Sequence, residues 1–294
     1  MHQDLEFSLE RPMGKGETLI RNTRFVWGSR TYVMGIVNTT PDSFSGDGVG
    51  RDVETAVAQA LQFEAWGADI VDVGGESTRP PDYYAGSEPV SSEEESSRVV
   101  PVITALASAL RVPISVDTSK AEVARRAVAA GASMINDVWG LRRDPEMASV
   151  AVETGVPVVL MHNQDGTEYD DLVPDVIGGL LGLLENALDA GIPEEKIVLD
   201  PGIGFGKTAE QSLEVLRRLD ECRSLGRPIL TGTSRKSSIG KVLDLPVDDR
   251  IEGTAATVAL SIAGGADIIR VHDVREMVRV ARMSDAIVRG WSEE

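Results

Sequence analysis

The chain has 294 residues, 42% of them apolar, enough to bury a large core in either one α/β barrel or two smaller domains. Its 47 acidic and 29 basic residues give a net charge of -18, which argues against nucleic acid or an anionic membrane surface as the main ligand. Any anionic substrate must be gathered by a local cluster of Arg, Lys and His. A single cysteine, Cys222, excludes an intramolecular disulfide framework and a multi-thiolate metal site, and it fits a reducing cytoplasm. No apolar run near the N-terminus suits a signal peptide, and no stretch approaches a membrane helix in length.

Residues 18–33, TLIRNTRFVWGSRTYV, alternate well enough to predict a hairpin with its turn near Gly28, plugging the floor of the larger domain. Residues 1–31 are therefore read as an N-terminal extension and 32–294 as a single domain. From Tyr32 onward, apolar runs of strand length alternate with helical segments, the pattern of a parallel sheet built from βαβ units. The runs are 32–38, 68–74, 113–118, 133–138, 157–162, 196–202, 228–234 and 266–273. In WGADIVDV, AGASMINDV and GGADIIRV a Gly-Ala pair separates a helical stretch from a strand, as where a helix ends on a left-handed glycine. Proline does the stopping before four other strands. Helices are expected over segments such as 120–130, 209–224 and 274–290. Eight strand–helix units without a break in composition predict an α/β fold, a (βα)8 TIM barrel with a short hairpin extension; a doubly wound open sheet is the alternative.

The stretch KIVLDPGIGFGKT (196–208) places Asp200 at the carboxyl end of a core strand, ahead of a glycine-rich turn. It is not a P-loop, being one residue short of GxxxxGK[ST] and carrying Pro201 at the first-glycine position. The other strands end on Asn38, Asp72, Asp117, Asn136, His162, Ser234 with Lys236, and Arg270 with His272. Turns favour Asp and Asn for local reasons, but eight polar strand ends together point to a barrel mouth that does chemistry. Asp117, Asn136, Asp200 and Lys236 mix donors and acceptors and suit a flat heterocycle with amide and amine edges. Arg270 and His272, two apart on one strand, join Arg79 and Asn38 in a cluster suited to a phosphate or pyrophosphate. An inward-facing Arg270 needs an anion to be tolerated; its bland alternative is a solvated strand end. His162 is read as structural, and Asp137 is expected to face the helices. No GxSxG elbow, HExxH or Cys/His grouping is present, and the polar surroundings of Lys236 do not signal a Schiff-base lysine.

Together with MGIVNTTPDSFS (34–45), DVGGESTRP (72–80), ISVDTSKAEVA (114–124), INDVWGL (135–141), VLMHN (159–163), LDPGIGFGK (199–207), TSRKS (233–237) and RVHDV (270–274), these residues make the chain resemble the dihydropteroate synthases. The resemblance implies a barrel transferase of folate biosynthesis that joins 4-aminobenzoate to 6-hydroxymethyl-7,8-dihydropterin diphosphate, releasing pyrophosphate. By matching position, Asp117, Asn136, Asp200 and Lys236 would hold the pterin edge, Met161 and Phe205 would flank its ring, and Arg270 would stack over it. Arg270 and His272, with Val271 between them, would meet the diphosphate. Asn38 would bind the bridging Mg²⁺. Phe44, Thr78, Arg79, Pro80 and Ser234 would form the aminobenzoate pocket. A cytoplasmic homodimer is the usual form of the family.

Three departures lie on the aminobenzoate side. Gly46 separates Ser45 from the loop aspartate Asp47, Pro81 to Gly86 lengthen the following loop, and Ser238 stands where the family usually has phenylalanine. Two expectations compete there. Either the altered pocket admits aminobenzoate and discriminates against sulfonamides, as a resistance determinant would, or the chain is a paralogue that binds pterins without catalysis.

Overall fold

β1 (Glu17–Ile20) and β2 (Thr23–Val26) pair antiparallel, with Ile20 opposite Thr23. This is the start of a computed structural model that describes residues 16–39, 49–76 and 90–292, and only the backbone of 49–52. The hairpin turns at Arg21 and Asn22, not near Gly28 as the sequence suggested. Arg21 accepts the φ of 56° that the turn demands, and its guanidinium donates to the carbonyls of Leu110 and Ala107 at 2.8 and 2.9 Å. Gly28 instead turns the chain out of β2.

Eight parallel strands form the barrel: β3 (Tyr32–Asn38), β4 (Ile70–Gly74), β5 (Ile114–Asp117), β6 (Met134–Asp137), β7 (Val158–Met161), β8 (Ile197–Asp200), β9 (Leu230–Thr231) and β10 (Ile268–Val271). They adjoin in the order β8-β7-β6-β5-β4-β3-β10-β9. A parallel bridge between Leu199 and Ile229, with Leu199 N donating to Pro228 O at 2.9 Å, brings β8 against β9. The sheet thus closes on itself, which rules out the doubly wound alternative. Around it lie α1 (Val49–Trp66), α2 (Ser92–Ala109), α3 (Ala121–Ala130), α4 (Met147–Thr154), α5 (Leu172–Asp189), α6 (Ala209–Arg217), α7 (Ser237–Leu243), α8 (Ile251–Ala263) and α9 (Val274–Arg289). The helix expected over 209–224 ends at Arg217, and Leu219–Leu225 continues as a 3-10 stretch. Gly67, Gly131 and Gly265, after α1, α3 and α8, have φ of 99°, 120° and 99°, so the Gly-Ala joints do end helices on left-handed glycines.

The two-residue period of the strands sorts their side chains into two cores. Outward positions such as Val71, Val116, Ile135, Leu199 and Ile269 pack under the helices. Inward positions Met34, Ile70, Met134, Val159, Val198, Leu230 and Ile268 fill the lower barrel together with Ile20, Phe25 and Trp27 of the hairpin segment. Phe25 and Tyr32 pack with their rings tilted by 50° and 4.6 Å between centroids, and Trp27 Nε1 donates to Thr18 Oγ1 at 2.9 Å, so the floor is apolar with its polar tip satisfied. A filled floor leaves the carboxyl ends of the strands as the open face.

Candidate active site

Continuing the inward parity one step above the floor gives Asp72, Asn136, Met161, Asp200 and Arg270, each two positions beyond an inward residue, and Asp117, one beyond the outward Val116. The six form a ring at the barrel mouth because strand register holds them level: Asp117 pairs with Asn136, and Met161 with Asp200. All but Arg270 are buried.

Arg270 is the hub of this ring. Its Nε donates to Asp72 Oδ2 at 2.6 Å and its Nη2 to Asp117 Oδ2 at 2.6 Å, while Asn136 Nδ2 donates to the same Asp72 oxygen at 3.1 Å. The anion that an inward arginine requires is therefore supplied by the chain itself. Asp72 ends a strand in the motif reading but was assigned no role; its inward parity was the signal. Asp72 Oδ1 and Asp117 Oδ1 are buried and have no partner among the described residues.

The carboxylates are held far from their ordinary behaviour. Burial pushes Asp117 up to about 7, against the pull of Arg270, and neighbouring Asp72 adds to the rise. Burial likewise raises Asp200 to about 6, opposed by the Gly202 N–H, Lys236 and Lys207. Burial disfavours the Arg270 charge, but Asp72 and Asp117 outweigh it and its pKa rises. Asp137 faces the helices and anchors the next loop, accepting from the N–H groups of Trp139 and Leu141 at 2.9 and 2.7 Å.

The glycine-rich turn after β8 is built for close approach. Asp200 Oδ1 accepts from Gly202 N at 2.7 Å, and Gly202 has φ of 71° with the His162 carbonyl 2.0 Å from where a Cβ would sit. Beneath it lies Lys207, 8% exposed, whose Nζ meets His162 Nδ1 at 3.1 Å, Gly202 O at 3.2 Å and Phe205 O at 3.0 Å. Lys207 stands in the LDPGIGFGK motif but has no role in the sequence analysis; a lysine closing a glycine-rich turn is the available clue. Burial lowers it to about 7, and burial with Lys207 lowers His162 to about 3, so His162 is a neutral structural group. Above the turn, Lys236 Nζ lies 4.1 Å from the centre of the Phe205 ring. Its neighbour Arg235 is turned away and bonded to Asp273, Nε to Oδ2 at 3.0 Å, so Lys236 is the cation of this motif that faces the mouth.

Ser234 and His272 come together on the β9–β10 side. The imidazole Nδ1 lies 3.0 Å from Ser234 Oγ, which also accepts from the His272 N–H at 3.1 Å. Val271 departs from its expected role: its side chain is fully buried in the layer between strands and helices, so it presents nothing to the mouth. Asn38, half-buried, ends β3 beside Gly74. Among the described residues no three His, Cys, Asp or Glu side chains form a metal cage. A single amide oxygen at that place fits a Mg²⁺ that is carried mainly by substrate phosphates and water. Phe44, Thr78, Arg79 and Pro80 lie outside the described residues, as do Gly46, Asp47 and the lengthened loop.

A closed parallel barrel whose mouth joins buried acceptors, an inward guanidinium and an aromatic–lysine pair defines an enzyme that grips a flat polar heterocycle next to an anion. The sequence model of the family described as pterin binding enzyme matches residues 34–272, and the chain belongs to that family. It is 53% identical over 271 residues to the dihydropteroate synthase of Clostridium beijerinckii, an alignment covering 92% of this chain and 99% of that protein. The crystal structure of a dihydropteroate synthase from Clostridium difficile, in the presence of pteroic acid, is similar with a TM-score of 0.86 at 53% identity, over 90% of this chain and 99% of that one. That of Xanthomonas albilineans, with 4-aminobenzoic acid, gives 0.86 at 41% identity over 94% and 98%.

Proposed function

We infer that the protein condenses 6-hydroxymethyl-7,8-dihydropterin diphosphate with 4-aminobenzoate, as a dihydropteroate synthase. It is a transferase of folate biosynthesis. The observation that carries the reading is the ring at the mouth, where Arg270 is held between Asp72 and Asp117 with Asn136 on the same Asp72 oxygen. Asp117, Asn136, Asp200 and Lys236 bind the pterin edge, with Met161 and Phe205 against the ring. Arg270 and His272 take the diphosphate, and Ser234, whose Oγ lies 3.0 Å from His272 Nδ1, helps form the aminobenzoate pocket. Asn38 would hold a Mg²⁺, whose charge helps the diphosphate leave.

With the leaving charge absorbed by Arg270 and His272, the bond between the pterin methylene carbon and the diphosphate oxygen breaks early, the oxygen keeping the electron pair. The cation left on the pterin is stabilised by the Asp117 and Asp200 carboxylates. The aminobenzoate amine then attacks the methylene carbon and gives up its proton to solvent, so no strong base is needed. An assay of pyrophosphate and dihydropteroate formation from both substrates, with and without Mg²⁺, tests this; a protein that binds pterin but cannot support growth of a strain lacking its own synthase would be the non-catalytic paralogue.

Two finer readings accompany it. The aminobenzoate pocket discriminates against sulfonamides, supported by the three sequence departures, of which Ser238 has its small side chain buried at the start of α7; a sulfonamide Ki close to the aminobenzoate KM removes the idea. The protein is a cytoplasmic homodimer. Its supports are the exposed apolar side chains Val242, Leu260, Met283 and Ile287 on α7, α8 and α9, 61% to 72% exposed, and the lack, among the described residues, of a helix long and apolar enough to cross a membrane.

A further inference from the structure

Asp72 lies fully buried on the inner face of β4, and a single one of its oxygens, Oδ2, receives hydrogen bonds from two other strands. The donors are Arg270 Nε at 2.6 Å and Asn136 Nδ2 at 3.1 Å. Both donors belong to the residues that meet the pterin and its diphosphate, whereas Asp72 itself has been given no part in either.

We propose that Asp72 is a positioning residue that sets the hydrogen-bond polarity of the pterin pocket, an inference that rests on the pterin-binding reading above. A side-chain amide can turn over and exchange its oxygen and nitrogen at no steric cost, so Asn136 alone does not choose which edge it offers. An oxygen that already accepts from a guanidinium can only accept again. It therefore fixes the Asn136 nitrogen toward Asp72 and leaves the carbonyl oxygen for a ligand, so the pocket selects a ring N–H or amine at that point. The same oxygen, with Asp117 Oδ2, takes the side edge of the Arg270 guanidinium through Nε and Nη2. Nη1 then stays available for the anion. Keeping a carboxylate at 0% exposure with Oδ1 unpartnered among the described residues is costly, which a merely space-filling role would not require.

The test uses the full-length protein and 6-hydroxymethylpterin as the probe, with binding measured by calorimetry. Asp72→Asn should weaken binding about tenfold or more, and so should Asn136→Ala, but the double variant should be no weaker than Asn136→Ala alone, because the two act through one contact. In turnover, the KM for the pterin diphosphate should rise while that for 4-aminobenzoate stays within about twofold. The acid limb of the pH profile should also move to lower pH in Asp72→Asn. The charged groups facing Asp117 are Arg270 on β10, Asp72 on β4, Glu95 on α2 and Asp137 on β6, and removing one negative charge loosens the Asp117 proton. Additive losses, or equal losses for both substrates, overturn the proposal. Should Asp72→Asn fail to reach the wild-type Tm, Asn136→Asp asks the same question from the other side: it deletes the donor that Asp72 holds and must lose more affinity than Asn136→Ala, and equal losses overturn the proposal. A wild type that binds the pterin without releasing pyrophosphate would refute the transferase reading yet leave the binding cycle able to decide on Asp72.

Discussion

Arg270 and Asp117, 153 residues apart in the chain, are bonded at 2.6 Å through Nη2 and Oδ2 across the barrel mouth. One guanidinium thereby does two things at once. It eases the ionisation of a buried carboxylate that would face the pterin, and it brings positive charge to the place where the diphosphate would leave.

Arg270→Gln should separate these effects. Burial already raises Asp117 to about 7 with Arg270 in place, so removing the positive charge should raise it further and move the acid limb of pterin binding to higher pH. The variant should also lose stability, on the order of a few kcal/mol near neutral pH, since two buried carboxylates lose their counter-charge. Calorimetric binding across pH checks the first point and thermal melts the second. An acid limb that stays where it was would remove Asp117 as the titrating group.

Asp200→Asn should trade activity for stability. The folded-state pKa of about 6 lies above the ordinary 3.8, so folding takes up a proton between those values. The stabilising contribution of Asp200 is complete below about pH 4 and is lost as the pH rises through about 6. Relative to wild type, the variant should therefore gain in Tm on going from about pH 4 to about pH 8. Over the same series kcat should fall about a hundredfold or more while pterin affinity changes much less, because the carboxylate acts on charge that develops only during bond breaking. A defect confined to binding would refute that role.

Most of this architecture is legible in the sequence because it obeys short-range rules. The eight strands lie within their expected runs, the Gly67, Gly131 and Gly265 joints have the positive φ that their motif implies, and Asp200 ends its strand facing inward. What escaped depends on partners distant in the chain. The hairpin turn was drawn to Gly28 by the stronger local signal, whereas Arg21 is held in its turn by carbonyls from the end of α2 and beyond. Asp72 looked like one more strand-end acid until β10 brought Arg270 to it. Val271 shares a motif with Arg270 and His272, but the alternation of the strand turns its side chain the other way.

Lys207→Met should show that the glycine-rich turn is tied down from below. Losing the ammonium leaves the Gly202 and Phe205 carbonyls without this donor, at a cost of about 1–3 kcal/mol. The KM for the pterin diphosphate should rise with it, since Phe205 belongs to the face against the ring. Melting curves and steady-state kinetics read the two effects; a wild-type Tm would mean that the turn holds its shape unaided.

Gly202→Ala is expected to be harsher. The added Cβ would lie 2.0 Å from the His162 carbonyl oxygen, and φ of 71° is unfavourable for alanine as well. Both partners are backbone, so neither can swing aside, and the loss should be on the order of 3–4 kcal/mol, with Asp200 deprived of its Gly202 N–H. Denaturant unfolding measures it. A loss under about 1 kcal/mol would mean the turn can move away from β7.

A charge on the outer face of α9 should report on assembly without touching the site. Met283 and Ile287 are four residues apart on α9, 63% and 72% exposed, and so share one helix face; Leu260, at 61%, lies on α8, which packs beside α9. Exposed apolar groups of this size favour burial against a second copy, worth roughly 1.5–3 kcal/mol for each side chain fully covered. Met283→Glu with Ile287→Glu places like charges in that contact and should convert a sedimenting dimer to monomer, while the far-UV spectrum stays unchanged because both positions face solvent within the subunit. A double variant that sediments as the wild-type dimer would place the contact on another face.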